Sequence, residues 1–221
     1  MRRNAKIRLV AIAALMIECG GSGHEPATPG DGACLADSVT ALHLLSTVPT
    51  CPSGDLMCRA KCRLGDGGSC LGLAYSADAK QGAEDDRQLY QRACLLGAAN
   101  GCTNYAAGIW AEHDVSDKQL ACARRVFEKA CAVKEQFACG MVGRFMIESG
   151  SAPDLVESRR YLEAKCDQVG GMSCRVLARH LESGKLGAWQ AYSTPGLLKR
   201  ACAGGDVYAC GHHATAEETF H

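Results

Sequence analysis

Apolar positions recur along this chain at fixed distances from a set of paired cysteines. Five pairs share the spacing Cys-x7-Cys: Cys62/Cys70, Cys94/Cys102, Cys131/Cys139, Cys166/Cys174 and Cys202/Cys210. Four residues before each first cysteine stand Cys58, Tyr90, Phe127, Leu162 and Leu198, and one residue earlier Met57, Leu89, Val126, Tyr161 and Leu197. Three residues after each second cysteine stand Leu73, Tyr105, Val142, Leu177 and His213, followed by Ala74, Ala106, Gly143, Ala178 and Ala214. The first set places an apolar stripe on an incoming helix. The small residue at one fixed place in every unit lets a second helix approach closely. The first cysteines lie 32, 37, 35 and 36 residues apart, a period that belongs to repeat arrays. The pattern predicts helix pairs over 55–63 with 68–79, 84–95 with 100–112, 117–132 with 136–148, 154–166 with 171–183, and 195–202 with 206–218.

Helix geometry decides what each pair is. On one continuous helix, eight residues would separate the two Cα atoms by about 12 Å and turn them roughly 80° apart. A disulfide needs Cα atoms at about 4.4–6.8 Å. The chain must therefore reverse between the two cysteines, and each pair becomes a staple across the neck of a helical hairpin. Glycines stand at four of the five turns, at Gly65 with Gly67-Gly68, Gly97 with Gly101, Gly170-Gly171 and Gly204-Gly205. Glycine ends helices because positive φ costs it no Cβ clash. The third turn, Ala132 to Ala138, has none. Structural zinc takes close pairs such as Cys-x2-Cys, and a catalytic dithiol takes the same spacing; neither occurs here. Disulfides in this number require an oxidising compartment.

Residues 1–19 read as an export leader. Met1 to Arg8 is positively charged and Leu9 to Ile17 is apolar, too short for a mature transmembrane helix. Cys19 follows one residue later, with Gly20-Gly21-Ser22-Gly23 behind it, and the arrangement resembles a bacterial lipobox whose cysteine is lipidated. Glu18 stands where that pattern takes a small residue, which leaves ordinary signal cleavage a few residues later as the other reading. Residues 20–33 form a flexible tether, residues 34–53 a capping helix and turn with Leu35, Val39, Leu42 and Leu45 on one side of the helix (34–47), and residues 54–221 the repeat array. With Cys19 set aside, Cys34, Cys51, Cys58 and Cys122 remain outside the ladder. They allow three connectivities, among which Cys51–Cys58 is the favoured bond.

Charge and composition narrow the function. The chain has 24 basic and 24 acidic residues, and without residues 1–18 the balance is 20 against 23. No basic patch points to nucleic acid. Aromatics make up 5% of residues, so alanine and cysteine supply much of the 47% apolar content, as thin, closely packed helical layers require. No phosphate loop is present, and no nucleophile has an assigned base. His212, His213 and His221 crowd the C-terminus with Glu217 and Glu218. His213 and Glu217 would share a helix face, but a polar end cap explains the group without metal. His43 and His180 fall within predicted helices, and His113 at a helix end. Asp85-Asp86-Arg87, Arg124-Arg125 and Glu157-Ser158-Arg159-Arg160 read as solvated helix faces. No metal and no cofactor are expected.

The stretch Ala93-Cys-Leu-Leu-Gly-Ala-Ala-Asn-Gly-Cys-Thr-Asn-Tyr-Ala-Ala-Gly108 and its four counterparts resemble Sel-one-like repeats, relatives of the tetratricopeptide repeat. They are most similar to the disulfide-stapled subset seen in Helicobacter cysteine-rich proteins. The resemblance covers about residues 54–218. It implies an all-α fold, an α/α solenoid of about five stapled helix pairs with a capping N-terminal helix. It also implies a concave face that binds peptides, proteins or cell-wall components. Contact with the membrane would run through the lipid anchor only, in the periplasm, on the outer membrane or outside the cell. Trp189 and Tyr192, outside the repeat pattern, and Trp110 are the candidate binding residues. Some members of the family carry β-lactamase or penicillin-binding names, so an enzyme acting on β-lactams or peptidoglycan peptides is the alternative. The serine enzymes of that kind need Ser-x-x-Lys, and Ser76 to Lys80 is one residue too long.

Overall fold

The computed structural model describes residues 33–52, 55–76, 86–149, 152–187 and 192–211. Among these the chain is all-helical; its β contact is an isolated bridge between His43 and Ala98. The helices are α1 (Leu35–Ser38), α2 (Leu56–Arg63), α3 (Gly67–Tyr75), α4 (Asp86–Leu95), α5 (Ala99–Trp110), α6 (Asp117–Ala132), α7 (Gln136–Ser149), α8 (Ala152–Val169), α9 (Gly171–Glu182) and α10 (Thr194–Ala203). Helical backbone resumes over 207–211. No described helix is long and apolar enough to cross a membrane.

Local chemistry starts these helices where short polar side chains can accept from free N–H groups. Asp55 accepts from the Met57 and Cys58 amides at the start of α2, and Ser193 accepts from Gly196 ahead of α10. Ser116 and Gln119 form a capping box at α6.

Four of the five hairpin turns are built alike. The residue three after the first cysteine takes positive φ: Gly65 (+99°), Gly97 (+87°), Lys134 (+66°) and Gly205 (+88°). Its N–H donates to the carbonyl of that cysteine, at 3.1, 2.9, 2.8 and 2.9 Å respectively. The next N–H, of Asp66, Ala98, Glu135 or Asp206, reaches back to Lys61, Ala93, Ala130 or Ala201. These paired bonds are a Schellman motif, which satisfies the carbonyls a helix end leaves free. The residue that closes it also starts the next helix, its carbonyl accepting from the second cysteine's N–H at 3.1–3.2 Å. A lysine therefore does in the third turn what glycine does elsewhere. The fourth turn differs: α8 runs on to Val169, and Gly170 (+68°) and Gly171 (+50°) make the reversal.

The staples close these necks as the bonds Cys62–Cys70, Cys94–Cys102, Cys131–Cys139, Cys166–Cys174 and Cys202–Cys210, at Cα–Cα separations of 4.4–4.7 Å. The second cysteine of each pair sits in the first turn of the returning helix: Cys70 in α3, Cys102 in α5, Cys139 in α7, Cys174 in α9 and Cys210 in the helical segment 207–211. Cys70, Cys102, Cys139 and Cys174 are buried, whereas Cys210, in the last described unit, is half-buried.

From α2 to α10, consecutive helices pack on one another, and α7 also packs on α9. The stripe ahead of each first cysteine lies inside from the second unit onwards, where Leu89, Val126, Phe127, Leu162 and Leu197 are buried; in the first unit Cys58 is buried and Met57 exposed. The small position after each second cysteine is tight. Ala74, Ala106 and Ala178 are buried, and a Cβ on Gly143 would stand 2.3 Å from the Leu162 side chain. His213 and Ala214 lie outside the described residues.

The N-terminal segment departs from the expected capping helix over 34–47. Helix is confined to Leu35–Ser38, and Val39 at its end is extended. His43, expected within that helix, is part of the bridge. Its N–H donates to Gly97 O at 2.9 Å, and its carbonyl accepts from the Ala99 N–H at 3.1 Å. The backbone of the second turn outcompetes the local helical pattern, because it offers a donor and an acceptor already held in place.

Candidate functional site

Residues 34–52 form a strap that runs against the order of the repeats. At its start Cys34 is bonded to Cys122 on α6, with Cα atoms 5.4 Å apart. The Asp37 carboxylate pairs with the Arg125 guanidinium on the same helix, and Lys129 Nζ donates to Val39 O at 2.7 Å. α1 packs on both α6 and α4. The strap then crosses the second turn at His43. At its end Cys51 is bonded to Cys58 on α2, and Pro49 O lies where a Cβ on Gly72 of α3 would be, at 2.3 Å. Leu35 is 1% exposed and Val39 4%. The strap is thus one helical turn followed by non-helical chain, laid over helices of three units and held by buried aliphatic residues, one carboxylate–guanidinium pair and a disulfide near each end.

Lys129 stands two residues before Cys131, and the same place holds Arg92 and Arg200 in other units. Those arginines reach carbonyls of the preceding unit, Arg92 to Arg63 O at 3.2 Å and Arg200 to Cys166 O at 3.4 Å. In the third unit the strap carbonyl takes that cation instead.

A cleft of about 250 Å³ is lined by Leu155, Val156, Arg159, Arg160, Glu163 and Leu186. Arg159 is fixed by Glu163 at 3.0 Å and reaches Leu186 O at 3.5 Å, which ties α8 to the link after α9.

The aromatic candidates do not gather. Trp110, at the end of α5, stacks edge-on against Phe145 at 4.3 Å, with Arg144 5.1 Å over its ring; it packs between helices. Tyr192 lies ahead of α10 under the Arg200 guanidinium at 5.7 Å, and Arg200 is paired with Asp167 at 2.6 Å. Trp189 lies outside the described residues, as do Cys19, His212, His213, His221, Glu217 and Glu218.

The sulfur chemistry is closed among the described residues. The ten ladder cysteines are bonded within their pairs, so Cys70, Cys139, Cys174 and Cys210 are each tied to the cysteine eight residues earlier. The four cysteines outside the ladder resolve as Cys34–Cys122 and Cys51–Cys58. Among the described residues no group of three metal-ligating side chains comes together.

In the sequence, Arg124-Arg125 and Arg159-Arg160 read as solvated faces. The signal that singles them out is register. Both pairs stand seven and six residues before a first cysteine, and a glutamate stands three residues before that cysteine in each unit. No protein-family model matches the chain, and no curated protein is significantly similar to it.

Proposed function

We propose that this chain is an exported helical-repeat scaffold that binds protein or peptide in the bacterial envelope. In this reading it is an α/α solenoid of about five stapled Sel-one-like helix pairs, anchored by lipid on Cys19. The succession of helix contacts along the chain supports the array, since in a solenoid each unit packs on its neighbours in sequence. Seven disulfides among the described residues fit an oxidising compartment.

The observation that carries the binding role is the strap. A segment with one acidic and several aliphatic residues, one helical turn followed by non-helical chain, already lies on this surface, burying Leu35 and Val39 and placing Asp37 on Arg125. A face that accommodates such a segment from its own chain has the chemistry to accommodate one from another. Immobilised, oxidised protein exposed to a periplasmic and outer-membrane extract is expected to retain a partner that free protein competes off saturably. Retention of none, together with turnover of a chromogenic β-lactam or a peptidoglycan peptide by highly purified protein, would overturn the proposal in favour of an enzyme.

A further inference from the structure

The register of the arginines narrows the proposed binding role to one surface, a step that rests on that role. Arg125 stands six residues before Cys131, and Arg160 six before Cys166. On both helices the arginine just ahead is tied down by an i,i+4 ion pair, Arg124 to Glu128 at 2.9 Å and Arg159 to Glu163 at 3.0 Å. On α6 the second arginine holds a carboxylate, that of Asp37 in the strap. On α8 the equivalent Arg160 is exposed and has no ion-pair partner among the described residues. Beside it lies the cleft with Leu155, Val156 and Leu186 in its wall, and Val156 is 55% exposed. The strap does not extend this far: Cys34 is fixed to Cys122, and α1 packs on α6 and α4.

We propose that α8 is a docking site for a short acidic segment of a partner protein. The segment's carboxylate sits on the Arg160 guanidinium, and a neighbouring aliphatic side chain enters the cleft among Leu155, Val156 and Leu186. Two observations select this occupant. The strap shows which peptide chemistry the same repeat position takes one unit earlier, an aspartate flanked by Leu35, Ala36 and Val39. In the cleft wall Glu163 is neutralised by Arg159 at 3.0 Å, which leaves the exposed Arg160 cation beside apolar wall; this matches a carboxylate next to an aliphatic residue and not a purely apolar helix.

The test is fluorescence anisotropy with a labelled synthetic peptide of the strap sequence, Leu-Ala-Asp-Ser-Val-Thr-Ala-Leu-His-Leu-Leu (residues 35–45), titrated with the full oxidised protein. Saturable binding is expected. Arg160→Ala should weaken it by about threefold to fivefold, the worth of an exposed carboxylate–guanidinium pair. Asparagine in place of the peptide's aspartate should weaken it to a similar degree, and Val156→Asp should also weaken it. Arg125→Ala should leave it unchanged, because Asp37 of the strap already holds that arginine. No binding to the wild type, equal binding to Arg160→Ala, or loss on Arg125→Ala instead, where the peptide would be displacing the strap, overturns the site. So does self-association in sedimentation equilibrium that Arg160→Glu abolishes, because the occupant is then a second copy. Binding only after removal of residues 1–32 also overturns it, because the chain's own leading segment then holds the position. Envelope capture repeated with Arg160→Glu separates the two claims. A partner retained by that variant while the peptide fails moves the site and leaves the binding function standing, whereas a wild type that captures nothing fails the function itself.

Discussion

Thr103 donates a 2.7 Å hydrogen bond from its hydroxyl to the Glu135 carboxylate, and both residues are buried. Thr103 directly follows Cys102, and Glu135 stands four residues after Cys131, so the bond joins the second unit to the third. Glu135 also starts α7, accepting from the Ala138 and Phe137 amides at 2.7 and 3.3 Å. Between the fourth and fifth units the same two places hold an ion pair, Arg175 with Asp206 at 2.7 Å. At the other two junctions both places are uncharged, Leu71 with Ala98 and Gly140 with Gly170. The residue after a second cysteine is therefore matched to the helix-starting residue of the next unit.

Thr103→Val should destabilise the protein by about 1–3 kcal/mol, because a buried carboxylate loses a donor. Glu135→Ala should cost about 1–2 kcal/mol through the lost helix start. The double variant Thr103→Val/Glu135→Ala, which makes both places uncharged as at the first junction, should cost less than the sum of the singles. Urea denaturation of the four proteins measures this. Additivity to within about 0.5 kcal/mol would show that the two positions are independent.

Much of the hairpin architecture was legible because a disulfide cannot close along a helix, so the eight-residue spacing alone demanded a reversal. The bonds of Cys70, Cys139, Cys174 and Cys210 to their upstream partners follow from that spacing. The helix pairs followed from the register of Leu89, Phe127, Leu162 and their equivalents. The strap was not legible. Leu35, Val39, Leu42 and Leu45 are spaced as a helix would space them, whereas the groups that unwind it, the Gly97 carbonyl and the Ala99 amide, are more than fifty residues away in the chain. The Cys51–Cys58 bond was the favoured one among three connectivities, whereas Cys34 and Cys122, 88 residues apart, had no assigned partner on the sequence. The candidate site was missed for a related reason: Arg160 differs from other surface arginines only in its repeat counterpart, and that counterpart has meaning once Asp37 is seen on Arg125.

Lys134 holds φ +66° in a turn where three other units have glycine. Its side chain is exposed, so little but strain distinguishes it from glycine there. Lys134→Gly should therefore stabilise the protein by about 0.5–1 kcal/mol despite glycine's greater unfolded-state freedom. Gly97→Ala should do the reverse by about 1–2 kcal/mol, since Gly97 is at φ +87° and a Cβ would meet Ala41 O and the His43 ring at 3.1 Å. Thermal denaturation gives both signs, and a destabilising Lys134→Gly would refute the strain.

The long-range disulfide should matter more than any single staple. On the chain-entropy model a crosslink spanning 88 residues stabilises by about 4–5 kcal/mol, and one spanning eight by about 2–3 kcal/mol. Cys34→Ser/Cys122→Ser should accordingly lower the urea midpoint more than Cys62→Ser/Cys70→Ser does. Non-reducing peptide mapping of the wild type fixes the pairing in the same experiment. Full reduction should remove much of the helicity, and a native circular dichroism spectrum under strong reductant would contradict the staples' role.

Stability should fall on both sides of neutrality, for different groups. Burial holds the half-buried His180 ring below its usual 6.5, and Lys185 is the largest of the neighbouring cations that add to the effect, with Arg144 and Arg179, against Glu148. The folded state keeps it neutral, so its contribution is present above pH 6.5 and is lost as pH falls through the lowered folded-state value. His180→Gln should flatten the acid limb of a stability–pH curve. Tyr90 and Tyr161 are pushed up to about 12, chiefly by burial, with Tyr75 and Asp86 adding at the first and Glu128 at the second. Their contribution is complete below pH 10.0 and lost as pH rises through about 12. Tyr161→Phe should flatten that limb, and an unchanged alkaline limb would contradict the assignment.

Burial, and not the ion pair, should hold the strap to α6. Asp37 and Arg125 are each about half exposed, and such pairs contribute less than about 1 kcal/mol. Leu35 is fully buried, and truncating a leucine of that kind costs about 2–4 kcal/mol. Asp37→Asn should thus leave the urea midpoint nearly unchanged, whereas Leu35→Ala should lower it clearly. Hydrogen exchange adds a local reading. The His43 and Ala99 amides are bonded across the strap, so Leu35→Ala should speed their exchange while the Asp37→Asn rates stay near wild type. If Asp37→Asn released those amides as readily as Leu35→Ala, the carboxylate would be the anchor. The arginine position shared by α6 and α8 would then count for more in affinity than the apolar cleft beside Arg160.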